Sequence, residues 1–150
     1  MRRKPLPAIL LLGLAITVAG CSSHTAAAPC TPLPVGDIER LNEDLAEMAG
    51  SVVTVVSRGF EIPMDTSAVG SGAFDRLFAV EYHRGGMAGT AVFALTTQQR
   101  TSFFAIDDNA CLIGDDWFLG CGAPTDSPIG ITRANIRNNA NLNAVRGCLN

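Results

Sequence analysis

The chain has 150 residues, of which 47% are hydrophobic, and it carries 11 basic and 14 acidic side chains. This length is enough for one domain with a hydrophobic core but not for two. The excess of acidic residues excludes the positive surface that binding to nucleic acid or to anionic lipid headgroups requires.

The first 20 residues predict an export signal. A basic start, residues 2–4, is followed by an apolar run, residues 8–18, and by the small residues Ala19 and Gly20. This order of segments is that of a secretory signal peptide. The apolar run is much shorter than the roughly 20 residues that a spanning helix needs, which disfavours a permanent transmembrane anchor.

The residues at the end of this signal, Val18-Ala19-Gly20-Cys21, resemble the lipobox of bacterial lipoproteins, and the resemblance is limited to them and their context. It implies export, diacylglycerol transfer to the Cys21 thiol, cleavage before Cys21, and acylation of the freed amine with a chain such as palmitate. Two or more acyl chains hold a protein durably at a bilayer, because each buried methylene contributes about 0.8 kcal/mol. The alternative is plain secretion, with cleavage elsewhere and loss of Cys21.

The same resemblance indicates a location in the cell envelope. Ser22 and Ser23, rather than aspartate, follow Cys21, which favours the outer membrane facing the periplasm in a Gram-negative cell. In a host with one membrane, the protein would lie on its outer face. Loss of residues 1–20 removes three of the 11 basic residues and leaves 8 against 14 acidic ones, a net charge of −6. The acyl chains, and not charge, would therefore hold the protein at the lipid surface.

After the signal, residues 21–34 are small, polar and rich in proline, which is typical of a flexible tether, and residues 35–150 form the single domain. Four cysteines besides Cys21 are an even number in an oxidising compartment, which predicts two disulfides. Of three pairings we favour Cys111–Cys121, which flanks a hairpin loop, and Cys30–Cys148, which then joins the ends of the domain. A zinc site is disfavoured because CxxC spacing is absent.

The best helix signal covers residues 37–49. Four apolar residues at spacings of three, four and three share one face: Ile38, Leu41, Leu45 and Met48. Asp37 can serve as the N-cap, and Gly50 ends the run. We expect a helix that covers the core, and a partner-binding helix is the alternative.

Strands are expected next. Residues 51–57 are rich in β-branched side chains and predict a buried strand, ended by Arg58-Gly59 and Ile62-Pro63. A loop at residues 65–72 precedes strands at residues 76–83, 90–96 and 101–106, which are separated by the glycine-rich loop 85–89 and the turn 97–100. In the strand 76–83, Phe78, Val80 and Tyr82 face one way and Leu77 and its alternate neighbours the other. Short loops favour an antiparallel sheet of about four strands.

Residues 107–122 predict a loop or a disulfide-closed hairpin, and residues 124–130 a turn region. A second helix is expected over residues 132–146, where Ile136, Ala140 and Ala144 align, although five asparagines in this segment are poor helix formers. The fold class is therefore α+β: a small antiparallel sheet with an N-terminal amphipathic helix and a C-terminal helix, cross-linked by disulfides.

The sequence offers weak signals for catalysis. His83 follows Glu81 on the same strand face, but nucleophilic catalysis also needs a poised serine or cysteine, and residues 69–73 lack the GxSxG spacing. The glycine loop 85–89 lacks the lysine and helix of a phosphate-binding loop. We predict no enzyme activity and no cofactor, and a small envelope hydrolase is kept as an alternative.

Four aspartates bracket Cys111: Asp107, Asp108, Asp115 and Asp116. Hard cations such as calcium are held by oxygen ligands of this kind, but the EF-hand pattern is not met. A glycosidase-like carboxylate pair is a further alternative, although nothing sets the separation of its members. Solvated turn carboxylates are the default, and no metal is predicted.

The segment at residues 115–119 is the candidate partner-binding site, with Asp115, Asp116, Trp117 and Phe118, and Met87 joins it from the glycine loop. Aromatic residues are enriched at interface hot spots, and a disulfide would preorganise the loop. The competing interpretation, which we favour for Trp117, is that a single tryptophan belongs to the core. We predict a lipid-anchored, non-enzymatic binding module, such as an inhibitor or immunity-type protein, that binds another envelope or secreted protein. A structural or assembly lipoprotein is the second alternative.

Overall fold

An antiparallel meander forms the centre of the fold in the computed structural model, which describes residues 29–48, 52–64, 74–95, 103–138 and 140–150. In chain order the elements are β1 (Thr31–Pro32), α1 (Val35–Met48), β2 (Thr54–Pro63), β3 (Arg76–Arg84), β4 (Met87–Leu95), β5 (Phe104–Ala105), α2 (Asp108–Ile113), α3 (Pro128–Arg137) and α4 (Ala140–Gly147). The strands lie in the order β1-β2-β3-β4-β5, each antiparallel to its neighbours. The α+β class is confirmed. The sheet has five strands rather than about four, because Thr31–Pro32 adds a short edge strand.

Both faces of the sheet are covered. Side chains of β3 alternate as predicted: Phe78, Val80 and Tyr82 enter one core cluster, and Leu77 and Ala79 enter the other. Helices α1 and α2 pack on the first face, and α3 and α4 contribute to the second. Because β3 and β4 lie between two helical layers, both strands are apolar over most of their length.

Strand β2 is longer than the sequence predicts. The expected break at Arg58-Gly59 is wrong, because the strand passes through an irregularity between Val56 and Arg58 and continues to Pro63. A side chain at Gly59 would meet Val80 at 2.9 Å, so only glycine fits there. The strand is also half-buried rather than fully buried, since Val56 faces the core and Val55 faces solvent.

The β3–β4 hairpin turns on Gly85 and Gly86, whose φ angles of 54° and 83° are in the left-handed region that glycine adopts without strain. The expected glycine loop 85–89 is therefore shorter than predicted, because β4 already begins at Met87. Residues 65–73, 96–102 and 49–51, where a loop, a turn and several element ends were expected, lie outside the described residues.

Helix α1 begins two residues earlier than expected, so Asp37 is not its N-cap. The buried Asp37 carboxylate instead accepts a 2.7 Å hydrogen bond from the Arg76 guanidinium on β3. Arg76 also donates from Nε to Glu61 at 2.7 Å. Although burial disfavours a charged guanidinium, these hydrogen bonds raise the pKa of Arg76 above its ordinary value. The three side chains form a charged cluster beneath the start of α1.

The segment 107–122 is not a plain loop or hairpin, because it contains the short helix α2. Asp107 caps this helix: its carboxylate accepts from the backbone N–H of Ala110 at 2.9 Å and of Val92 at 3.2 Å. The predicted single helix over residues 132–146 is two helices. The first begins after the N-cap Ser127 and ends at Asn138.

Both predicted disulfides are confirmed, with Cα–Cα distances of 5.7 Å for Cys30–Cys148 and 5.5 Å for Cys111–Cys121. Residues 21–28 of the expected tether lie outside the described residues. Its last residues are held to the sheet, since Leu33 is buried and its N–H donates to the Gly59 carbonyl at 2.9 Å. None of the helices in the described ranges has the length and apolar character needed to cross a bilayer.

Candidate functional site

The segment between α2 and Cys121 is a chain of tight turns. Asp115 and Asp116 have φ angles of 49° and 63°, in the left-handed region. The Trp117 N–H donates to the Gly114 carbonyl at 2.9 Å, and the Cys121 N–H donates to the Phe118 carbonyl at 3.1 Å. The Cys111–Cys121 disulfide closes the segment covalently. The turns and the disulfide therefore constrain the backbone of this segment.

Trp117 and Phe118 have opposite environments. The Phe118 side chain is 5% exposed and packs edge-on against Phe93, with ring centroids 5.2 Å apart. Trp117 is 78% exposed. The expectation that Trp117 belongs to the core is thus wrong. The partner-binding role predicted for Phe118 stays a prediction, and its ring is largely buried in the core. In this turn only one of the two adjacent rings faces the sheet, and a side chain at Gly114 would collide with the ring of Phe118 there.

An open groove of about 600 Å³ separates this segment from the last two turns of α1. We call it the α1 groove. Its main lining residues are Asp44, Glu47, Met48, Phe103, Trp117 and Leu119. Phe103 is buried and belongs to the same aromatic cluster as Phe93, whereas Leu119 is 47% exposed. The groove thus has an aromatic base, one acidic wall and one apolar wall.

Charge in the α1 groove is not balanced. Asp115 lines it, but its carboxylate is paired with Arg84 at 2.6 Å. Within the described part of the chain, no salt bridge joins Asp44 or Glu47 to a basic side chain. Two unpaired carboxylates therefore face the groove from one helix.

Partial burial raises the pKa of the Asp44 carboxyl above its usual value, and the positive charge of Arg40 opposes this rise. The nearby carboxylates of Glu47 and Glu43 add to it. The ionised form of Asp44 is thus less favourable than that of a solvated aspartate. A further positive charge beside Asp44 would offset part of this penalty.

Met87, the other predicted partner-binding residue, is 65% exposed at the start of β4. It pairs in register with Arg84, whose guanidinium donates to Asp115 and to the Leu112 carbonyl. Arg84 thus ties the end of the β3–β4 hairpin to the Trp117 segment. Leu112 is exposed as well, which adds an apolar residue to this side of the domain.

The four aspartates proposed as an alternative calcium site serve separate roles. Asp107 caps α2 and accepts from Arg146 at 2.9 Å, and Asp108 accepts from Arg137 and Arg133, both at 3.1 Å. The hydrogen bond from Arg137, above all, lowers the pKa of Asp108.

A carboxylate oxygen of Asp116 and the sulfur atoms of Cys111 and Cys121 lie within 4.8 Å of one another. Because those sulfurs form a disulfide, they cannot act as thiolate ligands. The group therefore does not have the donor set of a zinc site.

Glu81 and His83, the residues considered for catalysis, have different surroundings. The Arg58 guanidinium donates to both Glu81 carboxylate oxygens, at 2.7 and 2.6 Å, and this contact lowers the pKa of Glu81. His83 lies further along β3, opposite Val55 and Ala88, and is exposed. The carboxylate that would orient the imidazole is thus already held by an arginine.

Comparison with protein-family models, with curated proteins and with solved structures found no match to this chain. The lipidation candidate Cys21 lies outside the described residues.

Sequence reasoning placed the exposed aromatic on the right segment but missed the α1 groove. Its acidic wall and its apolar wall come from segments about 70 residues apart in the chain. The available signal was the acidic residues in the last turns of α1, where helix stability favours basic ones.

Proposed function

We propose that the chain is a lipid-anchored, non-enzymatic binding module of the bacterial cell envelope. The observation that carries this proposal is the exposed Trp117 on a segment fixed by the Cys111–Cys121 disulfide. In its specific form, the protein is an inhibitor or immunity-type protein that engages another envelope or secreted protein through Trp117 and the α1 groove.

The energetics favour binding at this position. Burying a tryptophan removes about 150–250 Å² of surface from water, at roughly 25 cal/mol per Å² of apolar area. Association also requires that mobile side chains and loops become ordered, which weakens it. Here the Phe118 ring in the core and the disulfide have already ordered the backbone on both sides of the indole. Less of the free energy gained by burying Trp117 is therefore lost in ordering the backbone when a complex forms.

The anchor has a direct chemical test, because Lys4 is the only lysine in the chain. After cleavage before Cys21, the Cys21 amine is the only primary amine left, and N-acylation removes it. We expect the mature protein from a Gram-negative host to resist amine-reactive dyes and to partition into detergent. The Cys21→Ser precursor keeps Lys4 and its N-terminal amine, so we expect it to be labelled by the same dye.

Ser23→Ala is the matched control, and we expect it to behave as the wild-type protein does. A mature protein whose N-terminus is labelled would contradict the acylated anchor. So would a Cys21→Ser protein that resists the dye.

Partner binding is tested with Trp117→Ala. We expect this variant to lose a partner that the wild-type protein captures from envelope or secreted fractions, while its Tm stays unchanged because Trp117 is largely solvent-exposed. Phe118→Ala should instead destabilise the fold by about 3–5 kcal/mol, because it removes a buried aromatic side chain. Calorimetry and pull-down measure the two effects separately.

Val35→Ala is the control for partner binding, since Val35 is also an exposed apolar residue but lies at the other end of α1. We expect this variant to retain the partner. A Trp117→Ala protein that also retains it would show that the binding surface lies elsewhere.

A further inference from the structure

The α1 groove presents a combination of surfaces that selects one class of ligand group. One wall carries the unpaired carboxylates of Asp44 and Glu47, and the other carries the exposed rings and methyl groups of Trp117 and Leu119. We propose that the groove binds an arginine or lysine side chain of the partner protein, with an apolar neighbour of that residue packed on Leu119. This inference rests on the proposed function and adds the chemistry of its ligand.

Charge complementarity is the first argument. Helix α1 carries five acidic residues and one basic residue in 14 positions, and its last turn has no basic residue. Acidic side chains near a helix C-terminus are unfavourable, because the backbone carbonyls there already carry partial negative charge. Asp44 and Glu47 line the groove near this end of α1. A partner cation placed there would compensate the carboxylates and the helix terminus together.

Asp44 is partly withdrawn from water. Burial makes its charge unfavourable in the free protein, the nearby charge of Arg40 offsets this only in part, and the neighbouring acidic residues add to it. A cation attracts a partly buried carboxylate more strongly than an exposed one, because water screens the interaction less. The groove is therefore better suited to a charged side chain than the exposed, outer face of the same helix.

The aromatic residues give the third argument. A cation over the face of a tryptophan ring is attracted to it, with arginine the more frequent partner. The domain already contains such a contact, since the Arg40 guanidinium carbon lies 4.9 Å from the ring centroid of Phe103, another lining residue. In the complex, the partner cation lies between the α1 carboxylates and the indole of Trp117.

The probe is a pair of short capped peptides of the form Gly-Leu-X-Leu-Gly, in which X is arginine or its uncharged isostere citrulline. Trp117 is the only tryptophan in the chain, so its emission reports on the groove directly in the detergent-solubilised mature protein. We expect the arginine peptide to shift this emission at millimolar concentration and the citrulline peptide to bind at least about tenfold more weakly. Added salt should weaken only the arginine peptide.

Matched variants locate the charge. Asp44→Asn combined with Glu47→Gln should weaken the arginine peptide by at least about tenfold. Glu39→Gln removes the same charge from an α1 residue that does not line the groove, and we expect it to leave binding unchanged. Equal binding of the two peptides, equal loss with Glu39→Gln, or no emission shift with the arginine peptide would overturn the proposal.

A protein that self-associates with Trp117 protected from acrylamide quenching would also overturn it, because the groove would then be an interface between copies of this chain. Capture of the natural partner by the two variants distinguishes failure of the cationic ligand from failure of the binding module. If the Asp44→Asn/Glu47→Gln protein still captures a partner that Trp117→Ala loses, the binding module stands and the cationic ligand is wrong. If Trp117→Ala also retains the partner, both proposals fail.

Discussion

Replacing Cys30 and Cys148 together by serine is expected to lower the free energy of unfolding by about 5 kcal/mol. The two residues are 118 positions apart, so their disulfide removes a large part of the chain entropy of the unfolded state. Domains of this size have total stabilities of about 5–15 kcal/mol, and a loss of this size would leave much of the protein unfolded at physiological temperature. Urea unfolding followed by circular dichroism measures the change.

The second disulfide provides the comparison. Cys111 and Cys121 are 10 positions apart, so the same entropy argument predicts a smaller loss of about 3 kcal/mol for Cys111→Ser combined with Cys121→Ser. That variant should also reduce partner binding, because the Trp117 segment is no longer closed covalently. If both pairs of substitutions cost the same, loop entropy is not the main source of stabilisation by Cys30–Cys148.

Arg76→Met is expected to destabilise the domain by about 3 kcal/mol, because it leaves the Glu61 carboxylate without this cation and leaves the buried Asp37 carboxylate with only the longer 3.4 Å contact to Arg40. Chemical denaturation at neutral pH measures this loss. Adding Asp37→Asn and Glu61→Gln to Arg76→Met should restore part of it, since those changes remove the uncompensated charges. No recovery would show that the loss comes from packing rather than from charge.

Arg58→Met is the matched control for Arg76→Met. Arg58 also lies on the sheet and also binds a carboxylate with two nitrogen atoms, but its pair with Glu81 is exposed to solvent. Arg58 also donates to the Leu149 carbonyl at 2.9 Å. Water and salt weaken exposed ion pairs, so we expect Arg58→Met to lower the free energy of unfolding by at most about 1 kcal/mol. A loss as large as that of Arg76→Met would contradict the argument that burial sets the difference between the two ion pairs.

The meander could be predicted because its signals are local. Alternation in β3 identifies both of its faces from residues 76–83 alone, and the Gly85-Gly86 pair marks the hairpin. The disulfide partners were also predictable, because four cysteines allow three pairings and chain spacing favours one of them.

The predictions for β2 and for residues 107–122 were wrong because these segments depend on contacts between distant parts of the chain. Gly59 normally indicates a break, but here it lets Leu33 and Val80 approach β2. Helix α2 has six residues, too few for a periodic pattern, and its cap Asp107 also binds β4 and Arg146. Neither contact is visible in the local sequence.

The adjacent rings of Trp117 and Phe118 show the same limit. Both side chains are large and apolar enough for the core. Phe118 is the buried one because its ring packs against Gly114 and Phe93. The α1 groove is hidden from sequence reasoning for a related reason. Its acidic wall and its apolar wall meet only after the sheet has formed between them.

The Cys30–Cys148 bond also determines how the domain carries mechanical load. A force applied through the chain that precedes Cys30 enters the fold at this residue, just before the two-residue strand β1. With the bond intact, the load is shared covalently with Cys148 after α4, so β1 is not loaded alone. With the bond reduced, the same pull peels β1 and then α1 away from the sheet. The oxidised domain is thus better suited than the reduced one to withstand tension applied from its N-terminal side.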